Sequence, residues 1–419
     1  MNTKYMTKTT PDTVIIGGGA AGMFAAIRLA ELGASVTLIE PNARLGKKLA
    51  ITGKGRCNVT NNCDLQTFLS NVPTNPKFLY AAVSSFTTAD TMTFFEDRGV
   101  RLKTERGNRV FPESDKAIDI VRALDKDCRS NCNIVNAKAT DILVENGQVV
   151  GVKDSAGNVH KCESVILATG GRSYPLTGSD GSGYTLASRL GHTIVDPTPS
   201  LVPLEAYGSL CKRLQGLSLK NVGIKFVERA SSKVLYSDFG EMMFTHFGVT
   251  GPTILSATSY IRKKNYTGID LIIDLKPALD EKTLDKRIIS DFSERTNKDF
   301  VNSLGALLPL KLIEPIVSLS GIDPRKKVNV ITKEERQKLI GLIKNLSIPL
   351  KAPRPIDEAI VTSGGVSTKE INPKTMESKL VKGLFFAGEV IDVDAYTGGF
   401  NLQIAFSTAF LAATNAGNI

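Results

Sequence analysis

The sequence has no tryptophan and only three histidines among 419 residues. The histidines, His160, His192 and His246, are far apart along the chain, and neither an H-E-x-x-H motif nor a paired C-x-x-C motif is present. A zinc site needs several such ligands at short, regular spacing. We therefore expect no metal site, and the missing tryptophan excludes the motifs of tryptophan-containing halogenases.

Long apolar runs and cysteines are also scarce. No run approaches the roughly 20 apolar residues that a membrane-spanning helix needs, and the opening MNTKYMTKTTPDT lacks the apolar core of a signal peptide. Six cysteines in so long a chain do not make a disulfide scaffold. These absences predict a cytoplasmic protein with reduced thiols and no membrane partner.

Acidic residues are in deficit, since 52 Lys and Arg face 42 Asp and Glu and leave a formal net charge of +10. Residues 276–351 hold 15 basic and 10 acidic side chains, which is half of the surplus. Their one tight cluster is Arg325, Lys326 and Lys327. We interpret this surplus as a solvated surface that attracts anionic small molecules or NADPH, and RNA binding is the alternative.

Glycine, in contrast, is plentiful, and one glycine-rich turn stands in a complete structural context. Residues 14–16 form a short apolar run, residues 20–32 have helix formers with apolar positions at helical spacing, and residues 35–39 form a second apolar run that ends in Glu40. The turn between the first two reads GGGAAG. The order of strand, glycine turn, helix, strand and acid is typical of a dinucleotide-binding unit.

Each residue of that motif has a physical task in binding a dinucleotide. Gly17 makes the tight turn, Gly19 lets the backbone approach a pyrophosphate, and Gly22 allows close packing of helix on strand. The pyrophosphate lies at the helix N-terminus, where unpaired N–H groups and the helix dipole favour an anion. We expect Glu40 to accept hydrogen bonds from a ribose hydroxyl and to repel a 2'-phosphate, which argues against NADP at this site.

Two later segments resemble further parts of the same site. Residues 164–171, SVILATGG, and residues 384–389, LFFAGE, are apolar runs that end in glycine or glycine and acid. A helix with small residues follows from Leu402, and we expect Gly398 and Gly399 to open it and to place a second helix N-terminus at the cofactor. Such an extended site indicates FAD, because a simple NAD enzyme needs little beyond the first unit.

Five motifs together resemble the BaiN-like FAD-binding family, also described as aminoacetone-oxidase-type flavoproteins or bile-acid enone reductases. They are GGGAAG (17–22), TGKGRCNVTN (52–61), ATGG (168–171), FTHFGVTGP (244–252) and AGEVIDVDAYTGGFNLQIAFSTA (387–409). The resemblance covers essentially the whole chain, and the last three motifs are more specific than the glycine turn.

The resemblance implies an α/β fold: a Rossmann-like FAD-binding domain in two parts, with an inserted β-rich, barrel-like domain that carries a helical subdomain. The expected boundaries are 1–195 and 356–419 for the FAD domain, 196–276 and 347–355 for the β-rich domain, and 277–346 for the helical subdomain.

The residue patterns by themselves predict the same alternation. Residues 219–227 alternate apolar and polar side chains, and 270–275 and 356–366 also have the pattern of strands. Residues 280–346 have helical patterns instead, with a capping box at 332–335.

A loop at residues 53–58, GKGRCN, is expected to cover the flavin, and Arg56 to stabilise an anionic reduced ring. Catalytic residues stay unassigned: His246 and Tyr396 are candidates for lining the pocket or donating a proton. The expected cofactor-binding residues, several of them taken from the resemblance, are Gly17, Gly19, Ala20, Ala21, Gly22, Glu40, Pro41, Arg44, Lys48, Gly55, Arg56, Cys57, Asn58, Ala139, Ala168, Thr169, Gly170, Gly388, Glu389, Asp392, Gly399, Phe400, Asn401, Leu402 and Gln403.

The predicted function is that of an FAD-dependent oxidoreductase that binds FAD non-covalently and uses NAD(P)H as a transient co-substrate. The resemblance favours reduction of a conjugated C=C bond in a small organic molecule. An amine oxidase that uses oxygen, a flavin-dependent tRNA-modifying protein and a non-enzymatic FAD-binding regulator are the alternatives. Cys57 and Cys63 are separated by five residues, which does not match the spacing in flavin-linked disulfide reductases. The Gly388-Glu389 pair also departs from the Gly-Asp of aromatic hydroxylases.

Overall fold

The computed structural model describes residues 13–262 and 264–418. The segment 1–12, which contains nearly all of the opening in which we expect no signal peptide, lies outside the described residues. The chain divides into two compact units: unit 1 comprises the residues up to Ser200 and those from Ile356 onward, and unit 2 comprises Leu201–Pro355. The further division of the insertion into a β-rich and a helical part stays a prediction.

Helices and strands alternate through most of the chain, with short 3-10 turns between them. The helices are α1 (Ala20–Glu31), α2 (Leu65–Ser70), α3 (Tyr80–Ser85), α4 (Thr88–Glu96), α5 (Ala117–Asn131), α6 (Ser182–Arg189), α7 (Leu210–Arg213), α8 (Pro252–Ile261), α9 (Glu281–Ser293), α10 (Leu310–Ser320), α11 (Lys333–Lys344) and α12 (Phe400–Ala416). The strands are β1 (Thr13–Ile16), β2 (Val36–Ile39), β3 (Thr60–Asn61), β4 (Leu102–Glu105), β5 (Arg109–Pro112), β6 (Asn133–Val135), β7 (Ala139–Glu145), β8 (Gln148–Asp154), β9 (Val159–Lys161), β10 (Ser164–Leu167), β11 (Ile194–Ser200), β12 (Leu204–Ala206), β13 (Ser218–Glu228), β14 (Val234–Phe244), β15 (Gly248–Thr250), β16 (Ile269–Asp274), β17 (Leu346–Pro353), β18 (Val361–Val366) and β19 (Leu384–Phe386).

The centre of unit 1 is a parallel five-stranded sheet in the order β19-β10-β1-β2-β6. Every residue of β1, β10 and β19 is buried, as expected for strands covered on both faces. Helices α1 and α12 pack together, with the Phe24 and Phe406 rings 5.4 Å apart. The prediction of a Rossmann-like fold is confirmed.

The parallel order brings the predicted site segments to one edge of this sheet. Strands β1, β2, β10 and β19 end at Ile16, Ile39, Leu167 and Phe386, and each runs directly into a segment singled out from the sequence. Ligands of open α/β sheets bind outside the carboxyl ends of the strands. The fold therefore gathers distant motifs at the position where a dinucleotide is expected.

Three smaller sheets complete unit 1, and none was foreseen as such from the sequence. They have the strand orders β3-β5-β4, β7-β8-β9 and β11-β18, all antiparallel. The predicted strand at 356–366 is shorter in the structure, because Ile356–Glu358 forms a 3-10 turn and only Val361–Val366 is extended.

Unit 2 contains a closed barrel of six strands in the order β12-β15-β14-β13-β16-β17. In β13 the side chains of Leu219, Val222, Ile224 and Phe226 are buried, and a bulge between Leu219 and Val222 shifts the alternation by one residue. Helices α9, α10 and α11 occupy the chain between β16 and β17, and the predicted capping box begins α11 at Thr332. The predicted barrel-like insertion is confirmed.

Nowhere in residues 13–262 and 264–418 does a helix have the length and apolar character needed to cross a bilayer.

Candidate cofactor site

In the glycine turn after β1, there is open space beside Gly19, but a side chain would clash at Gly17 and Gly22. A Cβ atom at Gly17, where φ is +106°, would lie 2.6 Å from the Ala168 carbonyl oxygen, and one at Gly22 would lie 1.8 Å from the Gly17 carbonyl oxygen. A Cβ at Gly19 would meet nothing within 4 Å. Gly19 is also the N-cap of α1, and no side chain caps that helix, so the N–H groups of Ala20 and its neighbours face the open space.

Glu40 lies immediately after β2 and is nearly buried, with 8% of its surface exposed. Its Oε2 accepts a hydrogen bond from the Gly18 N–H at 2.7 Å, and its Oε1 accepts two from Asn42, at 2.9 Å from N and 2.7 Å from Nδ2. These bonds fix the carboxylate beside the glycine turn, as the predicted ribose contact requires. Pro41 and Arg44 are exposed on the segment that follows.

The segment after β19 meets both helices that border the site. A Cβ at Gly388, where φ is +73°, would lie 2.9 Å from the Ala21 Cβ and 3.7 Å from the Ala405 Cβ. Gly388 therefore lies between α1 and α12, and only glycine fits there. At the start of α12, a Cβ at Gly399 would lie 2.3 Å from the Thr60 carbonyl oxygen. The same position is 2.9 Å from the Asn58 Oδ1.

The last of these contacts joins the predicted flavin loop to α12. The loop has left-handed backbone at three successive residues, Gly53, Lys54 and Gly55, and again at Cys57. For Lys54 and Cys57 this conformation is strained, and such strain is concentrated at functional sites. The Cys57 side chain is fully buried, and burial raises the pKa of its thiol to about 12. Cys57 is therefore protonated at neutral pH and is a poor nucleophile.

The guanidinium of Arg56, on the same loop, already forms two ion pairs. Its guanidinium forms ion pairs with Glu105 and Asp115, both at 2.5 Å, and lies 4.2 Å from the centre of the Phe111 ring. The hydrogen bonds to these two carboxylates raise the pKa of Arg56 and lower theirs. The predicted stabilisation of an anionic ring by Arg56 stays a prediction, and two carboxylates already neutralise its charge.

An ion pair connects Lys48 to Glu389 across the sheet edge. The Lys48 Nζ lies 2.7 Å from the Glu389 Oε2 and 2.7 Å from the Ser173 Oγ, and the Glu389 Oε1 accepts the Thr362 N–H at 2.7 Å. The cluster ties together the segments after β2, β10 and β19 and strand β18. Asp392, also predicted as a ligand, accepts a hydrogen bond from Asn75 at 3.0 Å.

The first residues of α12 divide into two kinds. The Gln403 amide is buried, where it accepts the Thr60 and Thr91 hydroxyls at 2.6 and 2.7 Å and donates to two backbone carbonyls. Asn401 bonds the Ala395 N–H and carbonyl. Since the protein uses both amides, these residues support the site by holding loops. Phe400 packs against Phe68, and Leu402 is half-buried beside it.

The remaining predicted residues are spread less evenly. Ala168, Thr169 and Gly170 follow β10, and the Ala168 N–H bonds the Ile16 carbonyl beside the glycine turn. Ala139 is buried at the start of β7, in a different sheet of unit 1. Tyr396 is half-buried in unit 1, on the segment before α12.

The other candidate for lining the pocket or donating a proton is His246. His246 is exposed in unit 2 on the loop between β14 and β15. In the described part of the chain, no three His, Cys, Asp or Glu side chains are grouped to hold a metal ion.

Several supporting residues were missed from the sequence. Ser173 and Thr362 position the Glu389 carboxylate, and Thr60 and Thr91 hold Gln403. Asp394 is fully buried and accepts the hydroxyls of Thr74, Ser200 and Ser363. Serine and threonine outside a motif have no signal in a single sequence, so these partners become visible only in the fold.

The residues present fit FAD. Two glycine-capped helix N-termini without side-chain caps border the sheet edge, and Gly19 has open space where a pyrophosphate would approach. Five buried polar side-chain atoms have no hydrogen-bond partner in the described structure: the Asn58 Oδ1, the Thr169 Oγ1, the Ser179 Oγ, the His192 Nδ1 and the Asp291 Oδ2. Asn58 and Thr169 are predicted cofactor-binding residues, whereas Asp291 belongs to α9 of unit 2. Unpaired buried polar atoms are rare in proteins and point to a ligand that completes their bonds.

Comparisons with known proteins identify the family of the chain. The HI0933-like protein Rossmann domain matches residues 11–415. The chain is 30% identical over 404 residues to the 3-dehydro-bile acid delta(4,6)-reductase of Clostridium scindens, covering 95% of this chain and 97% of that protein. It is also 30% identical over 405 residues to the ribosomal RNA dihydrouridine synthase of Escherichia coli, covering 96% and 97%.

A solved structure shows the same fold at lower identity. The 3-ketosteroid-delta4-(5alpha)-dehydrogenase of Rhodococcus jostii superposes with a TM-score of 0.54 and 15% identity, over 99% of this chain and 98% of that one. The family match, the long relatives and the cofactor geometry lead to one conclusion. The chain belongs to the HI0933-like family of FAD-binding Rossmann proteins and is an FAD-dependent oxidoreductase.

Proposed function

We propose that the protein reduces a carbon–carbon double bond conjugated to a carbonyl group, with NADH or NADPH as the electron donor. The observation that carries the proposal is the equal similarity to two relatives whose names describe different substrates. A delta(4,6) bond system beside a 3-oxo group and the ring double bond of uridine are both conjugated to a carbonyl. Reduction of a C=C bond conjugated to a carbonyl group would therefore be the same reaction on both molecules.

The reaction balances without a further reagent. NAD(P)H gives up a hydride and becomes NAD(P)⁺, the carbon distal to the carbonyl receives the hydride, and a proton from solvent or a side chain reaches the carbon next to the carbonyl. Bound FAD supplies the hydride transfer between the two substrates.

The protein's own part is to bind and orient the cofactor. We propose that the α1 N-terminus and Gly19 receive the pyrophosphate and that Glu40 binds the adenosine ribose. The loop at residues 55–58 and the α12 N-terminus would contact the ring end. Tyr396 is the candidate proton donor that lies in the same unit as these segments.

Two substrate classes fit this reaction. The first is a small conjugated ketone, which the motifs of the sequence favour. The second is uridine in RNA, and one observation favours it: unit 2 holds 25 Lys and Arg but 16 Asp and Glu, a net charge of +9. A polyanion is attracted to such a surface. We also propose a cytoplasmic location for the protein, where its six cysteines would stay reduced.

The proposal is tested by product analysis. Purified protein with FAD and either NADH or NADPH should convert a 3-oxo-Δ4 steroid or a uridine-containing ribosomal RNA fragment into a product with two added hydrogens, measured by mass spectrometry. Oxidation of an amine with oxygen uptake, and no product from either conjugated substrate, would support the amine oxidase instead. RNA as the sole productive substrate would select the second class.

A further inference from the structure

The segment between β10 and α6 lies against the adenosine end of the site. We name residues 172–181, RSYPLTGSDG, the strap. Its Leu176 carbonyl accepts the Lys47 Nζ at 2.6 Å, and its Thr177 carbonyl accepts the Asn42 Nδ2 at 3.1 Å. Both donors belong to the segment after β2. Motif reasoning had assigned the strap no role.

The strap approaches Glu40 closely. A Cβ at Gly178 would lie 2.6 Å from the Asn42 Nδ2 and 3.7 Å from the Glu40 Oε1. The strap also has left-handed backbone at Tyr174, Gly178 and Gly181, with φ of +54°, +103° and +80°. For Tyr174 this conformation is strained, so the fold holds the strap in this path at some cost.

One hydroxyl of the strap is buried and has no partner. Ser179 is only 5% exposed, and its Oγ has no hydrogen-bond partner in the described structure. The Oγ lies 3.0 Å from the position that a Cβ would take at Gly170. The neighbouring Thr169 also has an unpartnered Oγ1, and its Cα lies 3.0 Å from the Cβ position of Gly17. The Thr169 Oγ1 itself lies 1.9 Å from the Cβ position of Gly183, in the first turn of α6 directly after the strap.

We propose that Ser179 is a cofactor-binding residue whose hydroxyl bonds the adenosine half of FAD, with Thr169 beside it. A buried unpaired hydroxyl destabilises the protein without ligand, and a ligand that completes its hydrogen bond recovers that free energy. The ring end of the cofactor is not the expected partner of the Ser179 hydroxyl. The two residues predicted to contact the ring, Asn58 and Gly399, lie next to each other and to β3. The inference rests on FAD binding and not on either substrate class.

The experiment compares Ser179→Ala with Ser188→Ala, a matched control on the exposed side of α6. Isothermal titration of apoprotein with FAD should show a dissociation constant roughly five- to tenfold higher for Ser179→Ala, the effect of one lost hydrogen bond, and an unchanged value for the control. The dissociation constant of ADP, which contains the adenosine half, should rise by the same factor when it is titrated alone into the apoprotein.

Thermal unfolding separates binding from a structural role. The Tm of apo Ser179→Ala should equal or exceed that of the wild-type apoprotein, and the rise in Tm on adding FAD should be smaller. A lower apoprotein Tm with an unchanged FAD dissociation constant would overturn the proposal, as would weaker FAD binding with an unchanged ADP dissociation constant. Either result would leave the proposed reduction untouched, because the wild-type protein would still perform it.

Discussion

The two units differ in how they deal with negative charge. Unit 2 has a net charge of +9, whereas the rest of the chain has 27 Lys and Arg against 26 Asp and Glu, a net charge of +1. Yet the predicted pyrophosphate contacts are all in unit 1. There the proposed anion-binding groups are the backbone N–H groups of two glycine-capped helices, and the nearby cations, Lys48 and Arg56, already pair with carboxylates.

The proposed pyrophosphate site therefore does not coincide with the unit that carries the net positive charge. A small anion with fixed geometry is bound by a few aligned dipoles. A diffuse surplus of lysines suits a large or loosely placed anion, whose binding falls steeply with salt. We therefore expect variants of unit 1 to change FAD binding and variants of unit 2 to change salt-dependent interactions.

The largest effect is expected from Gly19→Val. The valine side chain fills the open space at the N-terminus of α1, and since nothing lies within 4 Å, the apoprotein should still fold. FAD affinity should fall by about 3 kcal/mol, or roughly 100-fold. Fluorescence titration with FAD measures the loss.

The matched change in unit 2 is Gly341→Ala, in α11, where a Cβ also meets nothing within 4 Å. It should raise stability by up to about 1 kcal/mol through helix propensity and leave FAD binding unchanged. Retention of FAD by Gly19→Val would show that the pyrophosphate does not lie at this turn.

A smaller effect is expected from neutralising exposed lysines of unit 2. Lys220, Lys225 and Lys264 are all exposed, and their joint replacement by Gln lowers the charge of unit 2 by three. If RNA is the substrate, the slope of log affinity against log salt should become shallower by up to about 2, in filter-binding assays with a ribosomal RNA fragment. The control replaces Lys77, Lys126 and Lys374 of unit 1, all exposed. Equal effects from the two triple variants would contradict the assignment of RNA binding to unit 2.

Lys48→Met tests the ion pair that joins the segments of the site. The Lys48 and Glu389 side chains are 23% and 21% exposed, so the variant leaves a mostly buried carboxylate without its cation. Apoprotein stability should fall by about 1–2 kcal/mol, after allowance for partial solvent screening.

Lys351→Met is the comparison in unit 2, because Lys351 pairs with Glu205 at 3.0 Å but is 53% exposed. It should change stability by less than about 0.5 kcal/mol. Chemical denaturation measures the free energy of unfolding of both variants. A larger loss of stability from Lys351→Met than from Lys48→Met would mean that solvent exposure does not determine how much each ion pair contributes.

The smallest effect concerns acid stability. The hydrogen bond from the His160 side chain, together with those from Asn158 and Ala156, lowers the pKa of Asp154 to about 2, from its usual value of 3.8. A carboxyl with a lowered folded-state pKa stabilises the fold above its unfolded pKa, and this contribution disappears as the pH falls from about 4 to about 2. Asp154→Asn should therefore have a lower free energy of unfolding than the wild type at pH 6. The difference between the two proteins should become smaller near pH 2. A constant difference across this range would refute the role of the charge.

Much of unit 1 could be predicted from the sequence, because its elements have strong local signals. The strand at residues 14–16, the helix after Gly19 and the opening of α12 by Gly399 all appear in the structure within one or two residues. A Cβ atom at position 17 or 22 would clash with a backbone carbonyl oxygen, so the fold requires glycine at both positions. This is why the spacing of these glycines predicted the turn.

The partners of the site could not be predicted in the same way. Gln403 fits a helix start by sequence, but the buried hydroxyls that occupy its amide come from β3 and α4, more than 300 residues away. Arg56 likewise shows no sign in sequence of its pairing with Glu105 and Asp115. Long-range polar contacts depend on how the elements pack, and a single sequence does not encode them in any local pattern.

The most direct test of the central claim is flavin absorbance under anaerobic conditions. The account predicts that NADH or NADPH bleaches the bound flavin and that a 3-oxo-Δ4 steroid or a uridine-containing RNA then restores its colour in a single turnover. A flavin that neither nucleotide bleaches, or a reduced flavin that neither conjugated substrate reoxidises, would contradict it.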